Sequence, residues 1–225
     1  MQEKFIVAID GPAGAGKSTV AKILAEKLSY IYIDTGAMYR AIAWKCLQVS
    51  EKPTKETIEE LVQNTCVKFV PNKNGTSVYV DDIDVTEAIR TPEVSANVSA
   101  IAQNEMVRKV LTAMQQEMGK SGGVVMDGRD IGTCVFPEAK YKIYLTATVQ
   151  ERAERRYKEL IAKGYNCELA KLQEEIAARD HSDMTRAISP LTKALDAIEI
   201  DSSTLTIQET VDLLYGICVG GNDVV

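Results

Sequence analysis

The sequence contains few of the residues on which metal centres and histidine-dependent catalysis rely. Its 225 residues include one histidine, His181, which excludes a His-based metal cluster and a Ser-His-Asp triad. Its five cysteines are odd in number and widely spaced, without a C-x-x-C pair, a pattern typical of reduced thiols. No apolar run reaches the length of a membrane span, and the first strand pattern begins too early for a signal peptide to precede it. We therefore expect a soluble, cytoplasmic protein with no membrane partner.

The chain also lacks an excess of positive charge. With 26 basic and 32 acidic side chains its net charge is −6, whereas proteins that bind a nucleic acid polymer usually present a basic face. The apolar fraction of 45% and the charged fraction of 26% are ordinary for a globular protein. A length of 225 residues suits one α/β domain with an insertion better than two independent domains. The expected partner is a small anion, and we expect a monomer.

The arginines differ from the lysines in their distribution. Lysines are scattered along the chain, whereas arginines occupy only nine positions: 40, 90, 108, 129, 152, 155, 156, 179 and 186. Because a guanidinium group binds phosphate through two parallel hydrogen bonds, this placement indicates that several arginines converge on one phosphate site. Each arginine taken singly can equally be a solvated surface residue.

The most informative motif lies between an apolar run, residues 5–9, and an amphipathic helix pattern. It matches G-x-x-x-x-G-K-[ST], a loop whose glycines let backbone N–H groups surround phosphate oxygens at a helix N-terminus. The lysine is expected to reach the β- and γ-phosphates of ATP, and the serine to ligate Mg²⁺. The alternative is a tight β-to-α turn that merely tolerates glycine. The predicted ATP-binding residues are Gly11, Pro12, Ala13, Gly14, Ala15, Gly16, Lys17, Ser18 and Thr19.

Further apolar runs predict the other strands of a parallel sheet. They cover about residues 30–34, 123–127, 140–145 and 197–201. The interval between the second and third strands is too long for a plain crossover. Within it, alternating apolar residues on both sides of the turn cluster 71–75 predict an antiparallel hairpin, and Thr91-Pro92 predicts the start of a helix. A second helix pattern covers residues 107–118.

A long charged stretch before the last strand predicts a mobile helical cover. It contains Gly164, which suits a break between two helices. Arg152, Arg155 and Arg156 share a helical face by i, i+3, i+4 spacing. This spacing favours a lid that brings arginine charge to the transferring phosphates and expels water. The alternative is an exposed helix whose arginines pair with neighbouring glutamates.

A polar tetrapeptide, Asp127-Gly128-Arg129-Asp130, follows the third strand. In a doubly wound order this strand lies beside the phosphate loop, so the first aspartate can order Mg²⁺ or its waters and the arginine can face phosphate. The alternative is a strand-end aspartate that caps the next turn. A second set, Arg179, Asp183 and Arg186, shares one helical face and can present two guanidinium groups and a carboxylate to one polar ligand.

The nature of the acceptor follows from the residue types available. No general base for a sugar hydroxyl stands out, although Asp34 and Asp127 are candidates. An acceptor that is already a phosphate is anionic and needs positioning more than deprotonation. A site rich in arginine and poor in histidine therefore favours a phosphate acceptor.

Over nearly its whole length the chain resembles the bacterial cytidylate kinases, a family of P-loop nucleoside monophosphate (NMP) kinases. The motifs that carry the resemblance are residues 11–19, 34–40, 89–94, 127–133 and 179–190. The resemblance implies a three-layer α/β fold: a five-stranded parallel sheet of the P-loop kinase type, an inserted NMP-binding subdomain with a small antiparallel β element plus helices, and a helical lid. It implies a single domain over residues 1–225, with the core at about 1–50, 120–148 and 190–225, the insertion at about 50–120 and the lid at about 149–189.

The resemblance further implies transfer of the ATP γ-phosphoryl group to CMP or dCMP, giving CDP or dCDP and ADP in pyrimidine metabolism. The catalytic residues that it implies are Lys17, Asp127, Arg129, Arg155 and Arg156. By the same resemblance Ser99, Arg108 and Asp130 read cytosine, Arg40, Arg129 and Arg186 hold the CMP phosphate, and Thr35, Arg179 and Asp183 lie on the ribose side. Mg²⁺ is the implied cofactor, with Ser18 as its ligand and Asp127 as a second candidate. The preference between CMP and dCMP is left open.

Two other classes of function compete with this interpretation. The first is another small-molecule kinase on the same scaffold, acting on UMP, AMP or shikimate. The second is a GTP-dependent switch or regulatory nucleotide-binding module. The second lacks support, because residues 72–75 fail the N-K-x-D pattern at its last position and the chain contains no D-x-x-G.

Overall fold

A computed structural model describes residues 4–72 and 75–220. They form two compact units. Unit 1 takes in the chain up to Tyr32 and from Gly119 onward, and unit 2 is Ile33–Met118. The division of the chain into core, insertion and lid stays a prediction.

The structure contains eight strands and eight α-helices within the described residues. The strands are β1 (Ile6–Asp10), β2 (Ile31–Asp34), β3 (Val67–Asn72), β4 (Gly75–Val80), β5 (Ile83–Asp84), β6 (Val124–Gly128), β7 (Tyr141–Thr146) and β8 (Ile198–Asp201). The helices are α1 (Lys17–Leu28), α2 (Thr35–Val49), α3 (Lys55–Gln63), α4 (Pro92–Gln103), α5 (Glu105–Gly119), α6 (Val149–Ala162), α7 (Leu169–Thr185) and α8 (Ile207–Val219). A 3₁₀ helix, Ala88–Arg90, and a π-helical turn, Ile131–Val135, complete the described elements.

The larger sheet has five strands in the order β2, β6, β1, β7, β8. The pairs β1–β6, β1–β7 and β7–β8 are parallel. Residues 7–9 and 124–126 are almost completely buried, as expected for parallel strands that are covered on both faces. Gly128 lies opposite Asp10, which places the polar tetrapeptide beside the glycine loop. The predicted α/β fold with a five-stranded parallel sheet is confirmed.

Two helices pack on this sheet through one apolar cluster. Val20 and Leu24 of α1 and Val211 and Leu214 of α8 belong to the same buried group as the strand residues. Full burial of each leucine side chain contributes about 1.5–3 kcal/mol. This packing fixes the helix whose N-terminus follows the glycine loop.

The charged stretch forms two helices, α6 and α7, as predicted. Gly164 lies between them with a φ of 82°, a left-handed conformation that glycine adopts without a steric penalty. The π-helical turn after Asp130 was not predicted, because five residues without periodicity give no helical pattern.

Unit 2 contains the small antiparallel sheet. β3 and β4 form a hairpin in which Val67 lies opposite Val80, so the predicted hairpin is confirmed. β5 adds a third strand that was not predicted. Lys73 and Asn74, from the predicted turn cluster, lie outside the described residues.

Two helices of unit 2 were predicted and two were missed. α5 contains the predicted helical residues 107–118. The Thr91 side chain accepts a hydrogen bond from the Val94 N–H, and Pro92 is the first residue of α4, as the sequence predicts. α2 and α3 were missed, although Met38 and Ile42 of α2 have helical spacing and are fully buried. In residues 4–72 and 75–220, no helix has both the length and the apolar character that a bilayer crossing requires.

Candidate active site

The glycine loop between β1 and α1 has the backbone of an anion cradle. Gly16 is the N-cap of α1 with a φ of 87°, and Gly11 has a φ of 145°. A Cβ on Gly11 would lie 2.0 Å from the Leu145 carbonyl oxygen, so only glycine fits there. The first turn of α1 opens with Lys17 and the exposed Ser18, and its N–H groups are available to a ligand. The loop fits a polyphosphate, and its occupation by ATP stays a prediction.

Lys17 is a buried amine within a cluster of charged groups. Its Nζ donates to the Pro12 carbonyl oxygen at 2.7 Å. Burial, together with the charge of Arg129 and against that of Asp127, lowers the pKa of Lys17 to about 7. The charged form of Lys17 is therefore disfavoured in the ligand-free protein, and a nearby anionic phosphate would favour it.

Asp127, at the end of β6, accepts two side-chain hydrogen bonds. Its Oδ2 accepts from the Ser18 hydroxyl at 2.9 Å, and its Oδ1 accepts from the Tyr32 hydroxyl at 2.8 Å. Within residues 4–72 and 75–220, no group of three or more His, Cys, Asp or Glu side chains forms a metal cluster. Mg²⁺ prefers oxygen ligands and usually binds one or two protein groups together with water and phosphate. Ser18 and Asp127 fit an ion bound in that way.

Asp10 is a site residue that the sequence analysis missed. Its carboxylate accepts the backbone N–H groups of Ile131 at 2.8 Å and Gly132 at 2.7 Å. Burial raises the pKa of Asp10 to about 6, against the effect of these two hydrogen bonds. Asp10 thereby anchors the π-helical turn that follows Arg129 and Asp130. The available signal was an acidic residue at the end of an apolar strand.

Four of the predicted CMP-binding residues of unit 1 interact with one another. Arg129 Nε donates to Asp183 Oδ2 at 2.9 Å. Arg186 lies 3.7 Å from Asp183 and 3.8 Å from Asp130, measured between nitrogen and carboxylate oxygen. Burial raises the pKa of Asp183, but Arg129, Arg179 and Arg186 outweigh it and hold that pKa below its ordinary value. The structure thus brings these groups together around Asp183.

The first of the three charged-stretch arginines, Arg152, is part of the structural framework. Its Nη1 donates to the Ala13 carbonyl oxygen at 2.9 Å, and its Nη2 donates to Asp180 at 2.6 Å. It is 3% exposed, so in this conformation it ties α6 and α7 to the glycine loop. Arg152 was expected to act with Arg155 and Arg156 as a mobile lid residue. In this conformation its donors bind protein acceptors instead, so it is not positioned to bind phosphate.

Arg155 and Arg156 contact different protein groups. Arg155 Nη2 donates to the Ser202 carbonyl oxygen at 2.6 Å, and Ser202 also donates to the Ala15 carbonyl oxygen at 3.3 Å. Arg156 pairs with Glu159 at 3.0 Å on the surface of α6. Arg155 is therefore connected to the glycine loop through Ser202, whereas Arg156 belongs to an ion pair on the solvated surface.

Thr35 and Arg40, two predicted CMP-binding residues of unit 2, lie on the first two turns of α2. Thr35 is buried, and Asp34 caps the helix by accepting the Ala37 N–H at 2.9 Å. The other Asp34 oxygen accepts from Arg40 Nη2 at 2.8 Å. Arg40 Nε is buried and has no hydrogen-bond partner among the described residues. A Cβ on Gly36 would lie 3.1 Å from Arg40 Nη1, so glycine leaves the guanidinium in place.

Ser99 and Arg108 lie on α4 and α5. Ser99 is half-buried, while Arg108 is 3% exposed and donates to the Ala102 carbonyl oxygen at 3.3 Å. The guanidinium carbon of Arg108 lies 5.5 Å from the centre of the Tyr39 ring, within reach of a cation–π interaction. Tyr39, which lies beside the Arg108 guanidinium, was not among the predicted site residues.

The sheet order and the glycine loop define the class of protein as a P-loop kinase. A shikimate kinase from Acinetobacter baumannii, solved in complex with shikimate, has a similar fold, with a TM-score of 0.50 and 15% sequence identity. The match covers 96% of this chain and 94% of that one. This likeness concerns the fold alone.

The chain belongs to the cytidylate kinase family, whose model, described as "Cytidylate kinase", matches residues 7–218. A cytidylate kinase of Bacillus subtilis is 54% identical over 213 residues, which cover 94% of this chain and 95% of that protein. A cytidylate kinase of Pediococcus pentosaceus is 53% identical, with 94% of each chain covered. One of Bacillus anthracis is 50% identical over 221 residues, 98% of each chain. The resemblance seen in the motifs is confirmed.

Proposed function

We infer that this protein transfers the γ-phosphoryl group of ATP to CMP or dCMP, producing ADP and CDP or dCDP. The observation that supports the inference most directly is electrostatic. The positive charges of Arg129 and Arg179 both lower the pKa of Lys17 on the glycine loop, so the three groups lie near one another. Lys17, which is expected to hold the donor phosphates, therefore lies in the same charged cluster as Arg129 and Arg179, which are expected to hold the acceptor. Membership of the cytidylate kinase family supports cytidine as the acceptor nucleoside.

On the donor side, the roles follow from the loop geometry. Backbone N–H groups of residues 11–19 are proposed to surround the phosphates, and Lys17 is proposed to exchange its bond to the Pro12 carbonyl for phosphate oxygens. Ser18 and Asp127 are proposed to hold Mg²⁺. When bound there, Mg²⁺ would supply positive charge that offsets the negative charge developing during phosphoryl transfer.

On the acceptor side, the task is to position an oxygen that is already anionic. Arg129 and Arg186 are proposed to hold the CMP phosphate, and the family motifs assign the same role to Arg40. Arg129 is hydrogen-bonded to Asp183, and Arg186 is hydrogen-bonded to the Ser189 carbonyl oxygen, before ligand arrives. These guanidinium groups therefore lose little conformational freedom on binding.

The remaining substrate contacts are proposed from the family motifs. Arg179, Asp183 and Thr35 are assigned to the ribose side. Ser99, Arg108 and Asp130 are assigned to cytosine, because its carbonyl and exocyclic amine need a donor and an acceptor. The rigid placement of Arg108 beside Tyr39 suits a donor that discriminates between bases.

Arg155 and Arg156 are proposed to stabilise charge in the transition state. For this they exchange Ser202 and Glu159 for phosphate oxygens. The Arg156–Glu159 pair is solvated and contributes only about 0–1 kcal/mol to stability. Breaking it therefore costs little free energy.

We further propose that the protein acts as a monomer in the cytoplasm, with small nucleotides as its partners and neither a nucleic acid polymer nor a membrane. The five cysteines, all within the described residues, are free thiols, which is consistent with a reducing compartment.

The test is an acceptor comparison with purified protein, ATP and Mg²⁺. ADP formation is measured with CMP, dCMP, UMP, AMP and shikimate as acceptors at equal concentrations. We expect kcat/KM for CMP or dCMP to exceed that for each other acceptor by at least about tenfold, because a site that pairs with a base rejects an analogue lacking the same groups. A higher value for UMP, AMP or shikimate would overturn the assignment.

A further inference from the structure

Tyr32 is a polar side chain whose hydroxyl contacts Asp127, one of the two residues proposed to hold Mg²⁺. It lies on β2, next to β6 in the sheet, and its backbone neighbour Ile31 donates to the Gly123 carbonyl oxygen at 2.9 Å. The ring packs against the apolar cluster beneath α1. This packing directs the hydroxyl to Asp127 Oδ1 at 2.8 Å.

The two oxygens of Asp127 therefore have different partners. Oδ2 accepts from Ser18, the exposed serine at the start of α1, and Oδ1 accepts from Tyr32. A hydrogen bond at each oxygen fixes the rotation of a carboxylate about its terminal bond, which is otherwise broad. Because the Ser18 hydroxyl donates its proton to Oδ2, its lone pairs stay available to a cation.

We propose that Tyr32 is a positioning residue that orients the Asp127 carboxylate, and through it Ser18, for binding Mg²⁺ with the nucleotide. The proposal rests on the proposed function in one respect, the assignment of Ser18 and Asp127 to the ion. Groups that hydrogen-bond a metal-ligating carboxylate typically change metal affinity or activity by about 10–100-fold when removed. A tyrosine that merely satisfied a buried acid would affect stability and leave the Mg²⁺ dependence unchanged.

The test variant is Tyr32→Phe, which keeps the ring and removes the hydroxyl. The matched control is Tyr30→Phe, because Tyr30 packs against the same cluster and its hydroxyl accepts the Phe5 N–H at 3.3 Å, away from Asp127. The first measurement is Mn²⁺ binding to the ADP complex, followed by electron paramagnetic resonance of the free ion. The second is the Mg²⁺ concentration at half-maximal kinase activity. ADP binding without a divalent ion checks that each variant is folded.

We expect Tyr32→Phe to weaken Mn²⁺ binding and to raise the half-saturating Mg²⁺ concentration by about 10-fold or more. Its kcat at saturating Mg²⁺ and its metal-free ADP affinity should stay close to wild type, and Tyr30→Phe should match wild type throughout. Equal metal affinities in Tyr32→Phe and wild type, or equal losses in both variants, would overturn the role of Tyr32.

The metal assignment itself can fail separately. A wild-type ADP complex that binds no Mn²⁺ would overturn the roles of Ser18 and Asp127 and the proposal with them. The Mn²⁺ measurement uses no acceptor, so it is independent of whether CMP is the substrate.

Discussion

Nucleotide binding is expected to drive a proton onto Lys17. In the ligand-free protein, burial lowers the pKa of this amine to about 7 from its ordinary value of 10.5, with Arg129 acting in the same direction. A bound polyphosphate brings negative charge to the amine and favours its charged form. The pKa of Lys17 should therefore return toward its ordinary value, and the protein should take up a proton above pH 7.

The size of this uptake depends on pH. At pH 8 a group with a pKa of about 7 holds roughly 0.1 proton, whereas a group with a pKa near 10 holds almost a full proton. Binding of ADP is thus expected to take up about 0.9 proton at pH 8 and only about 0.2 at pH 6.5. The terminal phosphate of ADP has a pKa of about 6 and is already ionised at pH 8, so it adds little.

Calorimetry of ADP binding at pH 8, in buffers that differ in ionisation enthalpy, measures the uptake as the slope of observed enthalpy against buffer enthalpy. Lys17→Arg is the matched control, because a guanidinium group stays charged and should show almost no uptake. Asp10→Asn tests the contribution of the neighbouring buried carboxyl. A wild-type slope below roughly 0.2 proton, or an equal slope in Lys17→Arg, would refute the reasoning.

Two further predictions concern stability. Because the pKa of Asp10 is raised from 3.8 to about 6, the folded protein keeps a proton that the unfolded chain releases, so this group's contribution to the free energy of unfolding falls as pH rises through that window. Urea unfolding at pH 4.5 and pH 7 should show wild type losing about 2 kcal/mol relative to Asp10→Asn. Asp201→Asn, which removes an exposed carboxyl with a lowered pKa, should run parallel to wild type, because a lowered pKa changes stability only below the ordinary value of 3.8; parallel pH profiles for wild type and Asp10→Asn would contradict the role of Asp10. Gly11→Ala should lower the free energy of unfolding by about 2–6 kcal/mol, because its Cβ meets the Leu145 carbonyl at a positive φ. Gly216→Ala in α8, with open space around its Cβ, should raise it by about 0.5–1 kcal/mol, and equal effects of the two substitutions would count against the steric argument.

Where the sequence analysis succeeded, the signal was local. The order of apolar run, glycine loop and amphipathic helix predicted β1, the anion cradle and α1, because each depends on residues that are neighbours in the chain. Thr91 and Pro92 predicted the start of α4 for the same reason. α2 was missed because it starts directly after β2 with Thr35 and Gly36, residue types that are typical of turns. α3 was missed because only Val62 of its nine residues is buried.

The hydrogen-bond partners of the arginines could not be predicted from sequence spacing. Spacing placed Arg152, Arg155 and Arg156 on one face of a helix, yet the structure gives each a different acceptor. Helical spacing fixes the direction in which a side chain leaves its own helix, but not the carbonyl or carboxylate that another segment brings to it.

The sequence by itself determined the five strands of the larger sheet, the β3–β4 hairpin, the glycine loop and the residue types able to bind phosphate, because those depend on backbone conformation and on side-chain chemistry. Only the tertiary structure decided which groups act together. Asp127 accepts hydrogen bonds from Ser18 and Tyr32, which are 109 and 95 residues away along the chain. Asp10 accepts hydrogen bonds from backbone N–H groups 121 and 122 residues away. Such pairs form because parallel strands meet at one edge of the sheet, where buried carboxylates must find hydrogen-bond donors from whichever segments lie closest.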